Sequence, residues 1–182
     1  MTVSSALYPS SNGYAIALGK NANTYNWECV DNGSGDTEYV LSIVDNRTYY
    51  DYYNFDDIGV ANIIATQVTV YARMKYSGEN GVVNGYIILR IGSTNYTLKT
   101  QALTTTWTTY SASKISGSWS QSDIDAMQIG VGLQCTYFEE DKYVLRSDSL
   151  CSLMYATVTY TLIAVPIGGS SMVSKLIGAG LL

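Results

Sequence analysis

The chain reads as an all-β, jelly-roll-like antiparallel β-sandwich with a short C-terminal apolar arm or helix, and three observations predict it. Residues 67–76 alternate without interruption: Val68, Val70, Ala72, Met74 and Tyr76 against Gln67, Thr69, Tyr71, Arg73 and Lys75. This is the period of a strand with one buried face. Similar alternations recur at 86–91, 127–135 and 152–164, separated by Gly-, Ser- and Asn-rich turns. No regular exchange of strand and helix patterns occurs, so stacked sheets are predicted rather than an α/β fold.

Taken along the chain, Glu38–Val44 follows a Gly/Asn/Asp turn and reads as the first strand, with Tyr52–Phe55 a short second one. After the 67–76 strand, Tyr86–Ile91 buries Ile87, Leu89 and Ile91. The turn Gly92-Ser93-Thr94-Asn95 returns Tyr96–Lys99 as a hairpin partner. Trp107–Ser111 is a Thr- and aromatic-rich strand. In 127–135, Ile129, Val131, Leu133 and Cys135 face inward against Gln128, Gly130, Gly132 and Gln134, where the glycines admit a close neighbour. The longest strand is Ser152–Ala164, with Met154, Ala156, Val158, Tyr160, Leu162 and Ala164 inward. One helical turn or two is expected at 120–126, where Ser120 caps and Asp123 lies in the first turn. Ile124 then plugs the end of the sandwich while Asp123 and Asp125 cap amides, and Trp107 and Trp119 seal the core. The sandwich is assigned to 1–165 and the arm to 166–182.

Composition narrows the function. Only 14% of residues are charged, the net charge is −5, and 17 Tyr stand beside 2 Phe. Without a Lys/Arg cluster the electrostatic footprint of a nucleic-acid binder is missing. A neutral, Tyr-rich surface suits either partner contacts or plain strand formation. No segment reaches the apolar length of a membrane span, and the N-terminus shows neither a basic nor an apolar signal region. With Met1 as the genuine start, export by the ordinary secretory route is not expected. Cys29, Cys135 and Cys151 form neither a disulfide framework nor a zinc pattern, and Cys135 is expected buried.

The chain contains no His, which removes Ser-His-Asp and Cys-His triads and imidazole metal sites. Acid pairs occur at Asp56-Asp57, Asp123/Asp125 and Glu139-Glu140-Asp141. Acids so spaced at turns ordinarily cap and solvate, so no enzyme is expected. Asp31, Asp36 and Glu38 surround a Gly-rich turn and are the candidate ligands of a calcium ion, the one cofactor the sequence admits. Tyr49, Tyr50 and Tyr52 belong to an aromatic run that either forms a strand rim, contacts another subunit or stacks on sugars. Sequons occur at Asn32, Asn46 and Asn95. In the tail, Met172, Val173, Leu176, Ile177 and Leu181 share one face of a short helix that needs a surface to bury against. Another subunit is the expected surface, ahead of the chain's own sandwich or a membrane.

Several segments together carry a family likeness: Trp27-Glu28-Cys29-Val30-Asp31, Tyr53-Asn54-Phe55-Asp56-Asp57-Ile58, Ile63 to Arg73, Leu103 to Tyr110, Trp119 to Val131 and Cys151 to Tyr160. Their pattern of strands and corners resembles a jelly-roll module of phage and archaeal-virus structural proteins and of prokaryotic surface proteins. The resemblance covers about residues 5–165 and supplies no catalytic residues. It implies a virion structural protein, a decoration, vertex or tail-associated subunit partnered by its own copies or by a capsid or tail protein. The alternative is a cell-surface or filament subunit or a carbohydrate-binding module, placed at the cell surface.

Overall fold

The computed structural model describes residues 1–31, 35–42, 47–78, 83–140 and 143–164, with main chain alone at 117, 137–140 and 143–146. The predicted antiparallel sandwich is present. Its strands are β1 (Thr2–Val3), β2 (Pro9–Asn12), β3 (Gly19–Lys20), β4 (Val40–Leu41), β5 (Thr48–Phe55) and β6 (Ile63–Gly78). They continue as β7 (Asn84–Ile91), β8 (Thr94–Ala102), β9 (Thr108–Trp119), β10 (Gln128–Gln134), β11 (Thr136–Glu140) and β12 (Tyr143–Leu162). A 3₁₀ turn, Asn26–Cys29, and a short helix, α1 (Gln121–Asp125), complete it.

One sheet runs β2-β5-β10-β7-β8. The other runs β3-β4-β12-β6-β9, with β1 and β11 also paired to β12. Strand β12 organises this second sheet. One of its edges is taken by β6 from Ser147 to Leu162, while the other is shared in turn by β11, β4, the Val30 carbonyl, Leu7 and β1. The core lies between the sheets and is built from the alternating positions: Val68, Val70, Ala72 and Met74 of β6, Ile129, Val131 and Leu133 of β10, and Met154, Ala156 and Val158 of β12 are all fully buried. Ile124 is buried in the same cluster, so α1 does plug the sandwich end.

Four expectations need correction. Leu162 and Ala164 are expected inward but are exposed, because they lie at and beyond the end of β12, past Tyr160, the last buried residue of the strand. Of the segment read as a strand over 38–44, the described residues 38–42 hold the two-residue β4, since Tyr39 and Ser42 bond to a loop and to Ser149, and residues 43 and 44 lie outside the described residues. Asp125 accepts from the Gln121 side chain rather than capping an amide, whereas Asp123 caps Ser120 as expected. Trp119 is buried, but Trp107 is only half-buried, against Tyr39 and Lys75. The three cysteines are buried and unpaired by disulfides.

Candidate functional site

The outer face of the β2-β5-β10-β7-β8 sheet brings together the side chains best suited to a ligand. Alternation sends Asp51 and Tyr53 of β5 inward and Tyr50, Tyr52 and Asn54 outward. The register then places three rows across the sheet. Tyr50 faces Gly132, which faces Tyr86; Tyr52 faces Gly130, which faces Ile88; Asn54 faces Gln128, which faces Arg90 and then Asn95.

The two glycines decide the shape of this face. A Cβ built on Gly132 would sit 2.6 Å from the Tyr50 ring, and one on Gly130 would sit 3.0 Å from the Tyr52 ring. Both rings therefore lie over the central strand, in the space that side chains there would fill. Ile88, outward by alternation, is only 2% exposed and is covered by the side chains around it. Tyr50 meets Tyr86 edge-on with centroids 6.2 Å apart. Tyr14, delivered by the chain just after β2, meets Tyr52 edge-on at 5.9 Å. Tyr14 is 64% exposed and Tyr50 38%, while Tyr52 forms the floor between them. Burial raises the Tyr52 hydroxyl above the ordinary tyrosine range, with the Arg90 charge acting against it, so Tyr52 stays neutral near neutral pH.

A polar row runs beside the rings. Gln128 donates to Asn54 Oδ1 (2.8 Å), and its own Oε1 accepts from the Tyr14 amide (3.0 Å). The Arg90 guanidinium stacks on the Tyr14 ring, 3.7 Å from its centroid, and donates from Nη1 to Asn95 Oδ1 (2.8 Å). The face therefore presents rings beside amides and one guanidinium. Such a surface supplies apolar contact and lateral hydrogen bonds to a flat, hydroxylated ligand.

Beneath it a buried polar cluster holds the N-terminal segment in place. Asp51 is fully buried; Oδ1 accepts from the amides of Ala17 (2.6 Å) and Leu18 (2.8 Å), and Oδ2 from Asn26 (2.7 Å) and the Tyr53 hydroxyl (2.9 Å). These bonds fix residues 17–26 against β5. The Tyr52 amide bonded to the Ala15 carbonyl brings Tyr14 to the outer face.

Of the other sequence candidates, Tyr49 turns inward and packs on the core. Asp31 and Asp36 line one depression of about 320 Å³ on the opposite sheet with Arg73 and Ser152. The Asp36 carboxylate is held there by Arg73 (2.7 and 2.8 Å) and by the Ser152 hydroxyl (2.9 Å), and the Arg73 hydrogen bond is the main cause of its lowered pKa. Glu38 is bonded instead to Asn23. Among the described residues no three acidic or thiol groups are arranged to hold a metal ion. Arg73 is the cation beside Asp36. Asp56, Asp57 and Asp125 line depressions at one end of the sandwich, near α1. Met172, Val173, Leu176, Ile177 and Leu181, the sequons at Asn32 and Asn46, and Asp141 lie outside the described residues. The sequon at Asn95 does not: its amide accepts the Arg90 bond. Tyr14, Arg90 and Tyr86 were not singled out from sequence. Only their outward phase relative to the glycines of β10 marks them, and that phase depends on which strands are neighbours.

No protein-family model matches the chain, and no curated protein matches it. Among solved structures, a chain described as "CBM4 structure and function" is similar: 18% identical, covering 70% of this chain and 86% of its own length, with a TM-score of 0.39. No described helix is long and apolar enough to cross a membrane.

Proposed function

We propose that this β-sandwich is a non-catalytic glycan-binding module whose ligand lies across the outer face of the β2-β5-β10-β7-β8 sheet. The observation that carries the reading is the pair of tyrosine rings, Tyr50 and Tyr52, laid over Gly132 and Gly130 of the central strand. A strand that gives up two side chains so that neighbouring rings occupy its outer surface makes a shallow aromatic platform. A sugar offers an apolar C–H face to such rings and its hydroxyls to the flanking amides of Asn54, Gln128 and Asn95. Surface location fits this reading, and a glycan-bearing partner takes the place of a small-molecule substrate.

The virion reading draws on the module likeness, the missing signal region, the neutral Tyr-rich surface and the apolar tail, and residues 165–182 lie outside the described residues. A particle subunit that carries this platform is compatible with the proposal.

Affinity electrophoresis through gels of embedded polysaccharides tests it. Retardation by at least one polymer is expected, and Tyr50→Ala should weaken it about tenfold, near 1.4 kcal/mol. An unchanged Tyr50→Ala variant overturns the reading.

A further inference from the structure

Charge on this platform is concentrated in one group. Of the outward positions of β5, β10 and β7, Arg90 alone is charged, although the chain as a whole carries −5. Among the described residues the sole ion pair is Arg73–Asp36, so no carboxylate lies within 4 Å of Arg90. The nearest acids along β5 are Asp51, which points into the core, and Asp56 and Asp57, which line depressions at the sandwich end.

The guanidinium is nevertheless held in place. Tyr14 supports its flat side at 3.7 Å, and Asn95 accepts from Nη1. Its remaining N–H groups have no protein acceptor among the described residues. An arginine held on two sides with donors to spare has already given up much of its rotamer freedom. Its planar fork matches a carboxylate in a bidentate arrangement, which a hydroxyl cannot reproduce. A merely solubilising surface arginine has no need of this support.

Resting on the platform reading above, we infer that the glycan recognised here is acidic, a uronic- or sialic-acid-containing chain whose carboxylate is bound by Arg90 while neighbouring sugar rings lie on Tyr50, Tyr52 and Tyr14. Charge complementarity carries the inference: among the described residues the outward positions of β5, β10 and β7 offer one fixed cation and no anion.

Polygalacturonate, alginate, hyaluronate and polysialic acid, each beside its carboxyl-reduced counterpart, separate the two claims, because reduction removes the charge and keeps the sugar backbone. At least one acidic polymer is expected to bind about tenfold more tightly than its reduced form. Arg90→Gln should abolish that difference, so that the variant binds the acidic polymer no more tightly than the reduced form measured beside it. Arg90→Lys, which keeps the charge and loses the fork, should fall between them. Thermal denaturation of each variant reports whether the fold is intact. Equal binding of both forms with no effect of Arg90→Gln overturns the acidic-ligand inference and leaves the platform standing. Binding to none of the polymers, acidic or reduced, overturns both.

Discussion

Asp51 shows how much one residue holds. It is a fully buried carboxyl group whose four hydrogen bonds come from the backbone of Ala17 and Leu18, from Asn26 and from Tyr53. A buried carboxylate is tolerated only when its oxygens are satisfied, and here each oxygen accepts two bonds. Asp51→Ala removes the acceptor of all four donors, leaving the buried Leu18 amide and Tyr53 hydroxyl unpaired, while Asn26 keeps its bond to the Leu18 carbonyl and the Ala17 amide lies near solvent. It is expected to cost about 3 kcal/mol, lowering Tm by roughly 10 °C in calorimetry. Because these bonds position the segment that carries Tyr14, the variant should also lose ligand affinity at temperatures where it remains folded. A Tm within a degree or two of the parent would show that the cluster is dispensable.

At the scale of elements, the two long open edges, β8 and β9, lie on the same side of the sandwich. Unpaired edges invite pairing with another chain. Here two lysines reach across that side. Lys99 of β8 lies over the Tyr110 ring of β9 at 5.9 Å, and Lys114 of β9 over the Tyr96 ring of β8 at 4.6 Å. A charge near an edge must be desolvated before another strand can dock, so replacing both lysines by Thr should produce concentration-dependent association in light scattering. A variant that stays in the parent's oligomeric state at high concentration refutes that role. The alternation that identified β6, β7 and β10 was legible because each buries one face and exposes the other. The ends of the elements were not. β9 runs on from Ser111 to Trp119 because β6, distant in sequence, pairs along it, and β12 begins at Tyr143 rather than Ser152 because its first residues pair with β11 just before it and then with β6. The platform was half legible for the same reason. Tyr50, Tyr52 and the two glycines stood out in the sequence, but which ring lies over which glycine is a matter of pairing across about 80 residues.

For the whole molecule, the polar groups of the core set an alkaline limit. Burial pushes the Cys151 thiol up to about 12 and raises the Tyr53 hydroxyl well above 10 and the Cys29 thiol above its ordinary value. Each group is neutral in the fold and ionises more readily in the unfolded chain. Their contribution is therefore complete below the unfolded thiol value near 9 and is lost progressively as the pH rises toward 12. The urea midpoint should hold between pH 7 and 8 and fall steeply above pH 9, and a flat profile to pH 11 would contradict this. In chain topology, Thr2 lies beside Tyr160, and β12, the strand on which β6, β4, β11 and β1 all depend, is the last of the twelve described strands. A ribosome delivers the chain from its N-terminus, so until residues 143–162 emerge the larger sheet exists only as separate pieces, β6 with β9 and β3 with β4. The sandwich thus closes in a late step, and the half-built protein must wait in the cell with its future seam uncovered.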